Sequence, residues 1–454
     1  MIQNAPLAVG LDIGTTKIVA VVGRLNEHRK IDVLGIGKSK SLGVQRGVVA
    51  NITLTIESIQ AAIKMAEDNS GLKITEVMVG IAGQHIRSMQ HSDYIMRDDA
   101  EAIINVVDLE NLKRNVDNLV MMPGEQILHA LPQEYRVDGD SNIINPQGMY
   151  GSRLEANFHI VVGQIASIKN IARCVEQSDL MVGDITLEPL ASADAVLAEE
   201  EKDAGVVLVD IGGGTTDIAI FKDSIIRHTA VIPFGGKVIT EDIKEGCEII
   251  EKQAELLKVK FGSAWPGENK ENEIVSIPGL RGRPPKEISL KTLSKIINAR
   301  VREIMESVIA EIRNYQQNDP RKRLIAGIVV TGGGSQLKHM SQLVEYLTGM
   351  PTRIGYPNEH LASGYVKELA SPVYATSIGL LSMALENRSA PMAYDPNESD
   401  LPAPPTEEIL EAEELEVEGA PDQTGSAMAP PRKDPFWKGF VSGIKEWLEN
   451  DDIE

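Results

Sequence analysis

The chain has 454 residues, more than one hydrophobic core usually organises, so two or more lobes are expected. Apolar residues make up 42% but aromatics only 4%, so the cores rest on Ile, Val, Leu and Met; the two cysteines, Cys174 and Cys247, exclude a disulfide framework and suit a reducing compartment. The net charge of −21 argues against general nucleic-acid binding, and no run approaches the ~18 apolar residues of a spanning helix.

The N-terminal Met1–Pro6 lacks a basic region, so no signal peptide is expected. From Leu7 to Gly37 the pattern predicts three short strands in a meander. Within it stands Leu11-Asp12-Ile13-Gly14-Thr15-Thr16-Lys17-Ile18-Val19-Ala20, an apolar run, a Gly-Thr turn and a second apolar run. Such a hairpin exposes backbone N–H groups and Thr hydroxyls, an anion-binding concavity. Ile52, Ile56, Ile59, Ile63 and Ala66 predict an amphipathic helix over 52–68. Val77–Ala82 reads as a buried strand. Residues 85–165 are mixed and turn-rich, a small α/β insertion. Ile168–Ser178 reads as a helix and Val182–Leu187 as a strand, closed by Glu188-Pro189.

The hairpin phrase then returns as Val209-Asp210-Ile211-Gly212-Gly213-Gly214-Thr215-Thr216-Asp217-Ile218-Ala219-Ile220. Two related hairpins suggest a duplicated fold that grips phosphates from both sides. Asp12 and Asp210 end equivalent strands and face each other if a pseudo-twofold relates the halves. Such a pair suits a hydrated Mg²⁺; the alternative is an Asp that caps its own turn. Lys17 can reach a β- or γ-phosphate as a point charge, or it is a solvated surface lysine. Residues 236–299 hold a long helical pattern, then the loop Pro278–Pro285. In it Glu255 and Lys258 sit one turn apart on one face. Val301–Tyr315 reads as a helix and Ile325–Thr331 as a core strand. The strand feeds a third cluster, Gly332-Gly333-Gly334-Ser335, followed by a helical pattern of Leu337, Met340, Leu343, Val344 and Leu347. A helix N-terminus there would present N–H groups to a phosphate or ribose; a plain strand–helix turn is the alternative. The last globular helix runs near Ala375–Leu385.

Residues 395–422 hold eleven acidic side chains and no basic one, which predicts an extended, disordered linker; a short helix over 407–418 is the alternative. Behind it, Phe436, Trp437, Phe440, Val441, Ile444, Trp447 and Leu448 fall on one helical stripe. With no core nearby, the stripe needs another apolar partner. An interfacial membrane helix fits, with Trp at the headgroups; a protein-docking helix is the alternative. Common nucleotide signatures fail. Gly37-Lys38-Ser39 ends like a P-loop, but Asp32 stands where Gly is needed, no dinucleotide fingerprint follows a strand, and no Cys/His cluster has zinc spacing.

The three phrases DIGTTK, DIGGGTTD and TGGGS resemble the phosphate-1, phosphate-2 and adenosine motifs of the actin-like ATPase superfamily, over residues 7 to about 386. Ser41-Leu42-Gly43-Val44-Gln45-Arg46-Gly47-Val48-Val49, Gly80-Ile81-Ala82-Gly83-Gln84-His85-Ile86, Pro146-Gln147-Gly148-Met149-Tyr150-Gly151, Pro372-Val373-Tyr374-Ala375-Thr376 and the tail narrow it to the FtsA family of bacterial cell division. The resemblance implies an α/β, actin-like (ribonuclease H-like) two-lobed ATPase fold. Subdomain 1A spans 1–84, completed by about 166–200 and 358–388; inserted subdomain 1C spans 85–165. Subdomain 2A spans 201–235 and 300–357, and 2B spans 236–299. A disordered linker follows at 389–433 and an amphipathic helix at 434–449.

It further implies that ATP and Mg²⁺ bind at Gly14, Thr15, Thr16, Lys17, Gly212, Gly213, Gly214, Thr215, Thr216, Gly332, Gly333, Gly334 and Ser335, with Glu255 and Lys258 on the ribose and adenine. The latter two read otherwise as an exposed ion pair. Glu188 is implied to position the attacking water, against a plain helix-initiating Glu before Pro. The implied function is a self-associating adaptor, at most a weak ATPase, that ties the FtsZ ring to the cytoplasmic face of the inner membrane at the septum and recruits later division proteins. The FtsZ tail, short and acidic, is implied to dock near Lys291, Lys295, Arg300 and Arg302; a solvated helix face is the alternative. A sugar kinase or a chaperone-type ATPase of the same superfamily is the competing function. A kinase needs a substrate base in the cleft, and none is nominated. A chaperone needs a substrate domain where the acidic linker lies.

Overall fold

A computed structural model describes residues 6–268, 273–279, 284–317, 319–362 and 367–389. The expected linker and the terminal helix with Phe436, Trp437, Phe440, Val441, Ile444, Trp447 and Leu448 lie outside the described residues, as does part of the loop 278–285.

The duplication suspected from the hairpin phrases is carried through whole sheets. In the first lobe the strand order is Met181–Leu187, Glu76–Ile81, Leu7–Ile13, Lys17–Leu25, Ile31–Lys40. In the second it is Thr352–Ile354, Gly327–Thr331, Val206–Ile211, Thr216–Lys222, Ile225–Ile232. Each sheet has an antiparallel meander on one side and parallel strands on the other. The central strands Leu7–Ile13 and Val206–Ile211 are almost wholly buried, as their unbroken apolar runs require of strands covered on both faces.

Helices fill the faces. Ile52–Ser70 starts at Asn51, whose side chain accepts the Leu54 amide at 3.0 Å, and stops at Gly71 in the left-handed region. Glu188–Val196 opens with Pro189 in its first turn, where the missing N–H costs nothing. One buried cluster joins the lobes: Val19 and Val21 from the first sheet, Leu208 and Ala219 from the second, and Ile378, Leu380 and Leu381 from the helix Ala375–Ser389 between them.

The insertion is a four-stranded antiparallel sheet, order Ile86–Met96, Arg153–Gln164, Glu125–Val137, Asp140–Ile143, with the helix Val106–Asp117 and its own buried cluster. It leaves the first lobe yet docks on the edge strand of the second. Ser88 donates to the Thr229 carbonyl at 2.8 Å, and Gln133 to that of Ile226 at 2.6 Å.

Three element readings change. The long helical pattern after Gly236 is two helices, Gly236–Gly246 and Glu251–Phe261, parted where Glu248 takes φ 48°. The helix expected from Val301 begins at Leu290 and runs to Gln316, because Leu293 and Ile297 continue the stripe of Val301, Ile304 and Val308. A boundary at 299/300 therefore falls inside one helix. After the third Gly cluster the chain makes a 3₁₀ turn over Gly333–Gln336, and the α-helix starts only at Met340. The cluster is thus a turn and not an α-helix N-terminus.

Candidate nucleotide cleft

The two Gly-Thr turns meet tip to tip. A Cβ on Gly213 would lie 2.7 Å from Cγ2 and Oγ1 of Thr16, and one on Gly214 would strike the Thr15 hydroxyl. The second turn is propped from below: the Gly236 amide donates to the Gly212 carbonyl at 2.9 Å, and the Lys237 amide to that of Gly213 at 2.8 Å. Gly332, at φ 78°, packs against the carboxylate of Asp210 and the Ile211 carbonyl, where a Cβ has no room. The three turns therefore surround one cavity of about 1160 Å³. Its lining includes Asp12, Gly14, Thr15, Thr16, Lys17, Glu188, Asp210, Gly212, Gly213, Gly214, Thr215, Glu255, Lys258, Gly332, Gly333 and Gly334.

Four carboxylates converge on its floor. Asp12 accepts Ser377 Oγ at 3.0 Å; Asp210 accepts Ser192 Oγ at 2.7 Å and Thr376 Oγ1 at 3.3 Å. Burial raises both above the usual carboxylate range. Burial, then Asp12, Asp217 and Asp210, push Glu188 well up. Burial and Asp210 push Asp217 up to about 8. One oxygen of Asp217 takes the Thr215 hydroxyl at 2.9 Å, while the other is buried with no hydrogen-bond partner. Lys17 lies 3.9 Å from Asp12, donates to the Val373 carbonyl at 2.5 Å and sits 4.4 Å from the centre of the Tyr374 ring; burial lowers its pKa, and Asp12 opposes that.

At the far wall Lys258 pairs with Glu255 at 2.8 Å and donates to the Gly236 carbonyl and the Thr240 hydroxyl at 2.8 and 2.7 Å. Ile250, Leu256 and Val259 line the same wall and stay exposed.

Two nominated residues do not face the cavity. The Thr216 hydroxyl points to the other side of its strand, to the Phe234 carbonyl at 2.8 Å, and Ser335 turns back onto the Gly332 carbonyl at 2.7 Å. Thr216 begins a strand, so it alternates with Thr215 and Asp217. Asp217 was missed, although it closes the second hairpin phrase two residues beyond Thr215. Ser192, Thr376 and Ser377, which orient the aspartates, carried no local signal.

Lys291, Lys295 and Arg302, expected to share a docking face, and Arg300, expected to point away from them, all lie on the helix Leu290–Gln316. Arg300 is already engaged, by a two-pronged pair with Asp242 at 2.6 and 2.9 Å and by Glu303 at 2.5 Å. Arg302 donates to Asn298 at 2.9 Å and lies 5.8 Å from the Tyr346 ring. Lys295 is exposed and Lys291 half-buried.

Paired sheets of identical strand order, closed over a Gly-lined cleft, define an actin-like fold. The PilM–PilN type IV pilus biogenesis complex has the same fold at TM-score 0.62 and 14% identity, over 84% of this chain and 98% of that one. The MamK double helical filament follows at TM-score 0.50 and 13% identity, over 85% and 99%. Residues 207–379 match the family model described as Cell division protein FtsA, and residues 83–162 that of the SHS2 domain inserted in FTSA. The cell division protein FtsA of Pseudomonas aeruginosa is 39% identical over 413 residues, 90% of this chain and 97% of the relative. That of Neisseria meningitidis is 36% identical over 440 residues, 97% of each, and that of Escherichia coli 33% over 385 residues, 84% and 91%. The chain belongs to the FtsA family of cell division proteins.

Proposed function

We propose that this chain binds ATP with Mg²⁺ between the two hairpins, self-associates into filaments and anchors the FtsZ ring to the cytoplasmic face of the inner membrane at the septum, where later division proteins are recruited. The observation that carries the reading is the convergence of three Gly turns and a buried aspartate pair on one cavity. Amides of the turns cradle phosphates, Lys17 supplies a point charge, and Glu255, Lys258 and the apolar wall serve ribose and base. The carboxylates, raised by burial and mutual repulsion, and the unpartnered Asp217 oxygen fit a divalent cation. Among the described residues no three such side chains group tightly enough to hold an ion directly. Mg²⁺ would accordingly keep waters and phosphate oxygens around Asp12 and Asp210, and it would supply charge neutralisation there. Glu188, which lines the cavity and whose pKa burial and the neighbouring aspartates push well up, would orient a water.

Among the described residues no helix is long and apolar enough to cross a membrane. Membrane contact falls to the stripe from Phe436 to Leu448, whose single-copy binding is weak and reversible. A filament aligning many such helices gains by avidity. Lys291, Lys295 and Arg302 remain the candidate dock for an acidic FtsZ tail; Arg300 is assigned to Asp242. Sedimentation with anionic liposomes, with and without Mg²⁺–ATP, tests the whole scheme. Nucleotide-dependent pelleting with lipid is expected, and pelleting indifferent to ATP would overturn it.

A further inference from the structure

The phrase Ser371-Pro372-Val373-Tyr374-Ala375-Thr376-Ser377 touches the third Gly turn, Lys17 and both aspartates of the cleft. Ser371 accepts Gln336 at 2.8 Å, the Pro372 carbonyl takes the Gly332 amide at 3.2 Å, and the Val373 carbonyl takes Lys17. Thr376 and Ser377 hold the two aspartates. Tyr374 is the one member whose role the nucleotide reading leaves open, and its surroundings are specific. It is 2% exposed, one of the largest fully buried side chains among the described residues. Its ring centre lies 4.4 Å from the Lys17 ammonium. Its hydroxyl donates to Glu368 at 2.5 Å and accepts from Lys38 at 3.2 Å, and Lys38 and Glu368 pair at 3.1 Å.

We propose that Tyr374 is the positioning residue for Lys17: its ring is the seat of the ammonium, and the Glu368–Lys38 clamp on its hydroxyl fixes that seat. The physical reason is that a buried ammonium beside one carboxylate 3.9 Å away has too few partners. An aromatic face supplies attraction without competing as a hydrogen-bond acceptor, so Lys17 can exchange the Val373 carbonyl for a phosphate oxygen while staying on the ring. The clamp sits at the surface, where Glu368 and Lys38 are half-exposed, so the seat is wired from the cleft to the outside of the first lobe.

The inference rests on the cleft being a nucleotide site, and the test separates the two. Affinities of the full chain for Mg²⁺–ATP and for adenosine, which has no phosphate for Lys17, are measured in wild type, Tyr374→Leu, Tyr374→Phe and Glu368→Gln. Tyr374→Leu should weaken ATP about tenfold and leave adenosine within about twofold. Tyr374→Phe, which keeps the ring, should restore ATP to within about threefold. Glu368→Gln changes only a surface member of the clamp, so folding is safe if the leucine variant fails; it should weaken ATP a few-fold with adenosine unchanged. Equal losses for ATP and adenosine, or no loss for ATP, would reduce Tyr374 to packing. Wild type that binds neither ligand overturns the nucleotide site itself, and this role with it.

Discussion

Asp217 shows what a single buried carboxylate does to stability. Its pKa is raised from an ordinary 3.8 to about 8 by burial and by Asp210. Between those values the folded state binds a proton that the unfolded state releases, so the fold loses stability as pH rises from about 4 to about 8. The unfolding midpoint of the nucleotide-free chain is expected to fall across that window, and Asp217→Asn should flatten the fall. An unchanged slope in the variant would remove Asp217 as its source. The same residue marks a limit of reading from sequence. Asp12, Asp210, Lys17 and the glycines were legible because a strand–turn–strand phrase fixes where they end up. Thr215 and Thr216 look alike in the phrase, but strand alternation turns one hydroxyl to the cavity and the other to Phe234. Ser192, Thr376 and Ser377 reach the aspartates across 18, 166 and 365 residues, a separation no local pattern encodes.

Among the elements, the helix Leu290–Gln316 carries both a buried packing face and the residues of the proposed dock. Its apolar stripe fixes one face, and its basic residues are divided among different duties. The Arg300–Asp242 pair ties it to the helix Gly236–Gly246, so Arg300→Ala should lower stability by about 1 kcal/mol, read as a drop in the urea midpoint. Lys295 is exposed, so Lys295→Glu should leave that midpoint in place and weaken an acidic FtsZ tail peptide in fluorescence anisotropy, less so as salt rises. If Lys295→Glu and Arg302→Glu both keep wild-type peptide affinity, the dock lies elsewhere. The sequence pattern places the start of this helix at Val301, later than Leu290, although Leu293 and Ile297 already carry its buried stripe. The third Gly cluster imitates a helix start in sequence: Leu337 falls on the helical stripe of Met340 and Leu343, yet its backbone is extended, and His339 is left-handed.

At the scale of the molecule, the duplication was legible from two phrases about two hundred residues apart. The shared core between the lobes and the docking of the insertion on the edge strand Ile225–Ile232 were not, since both depend on surfaces brought together only by folding. The membrane assignment belongs to this scale as well. Trp437→Glu or Phe440→Glu puts a charge on the apolar stripe at a cost of a few kcal/mol, about what the weak binding of one helix can supply. Liposome co-sedimentation should therefore be lost while ATP affinity holds. Sedimentation equal to wild type would give the stripe to a protein partner. Ligand should also act on the whole fold: Mg²⁺–ATP at about a hundred times its Kd should add about 2.7 kcal/mol of stability, and EDTA should withdraw part of it. The most direct measurement is an equilibrium titration of Mg²⁺–ATP into the full chain beside Gly213→Val. Position 213 lies where the two hairpins touch, and a Cβ there meets Thr16 at 2.7 Å. The account predicts saturable binding by the wild-type chain and a loss of at least tenfold in the variant; no binding by wild type, or equal affinity in both, would contradict it.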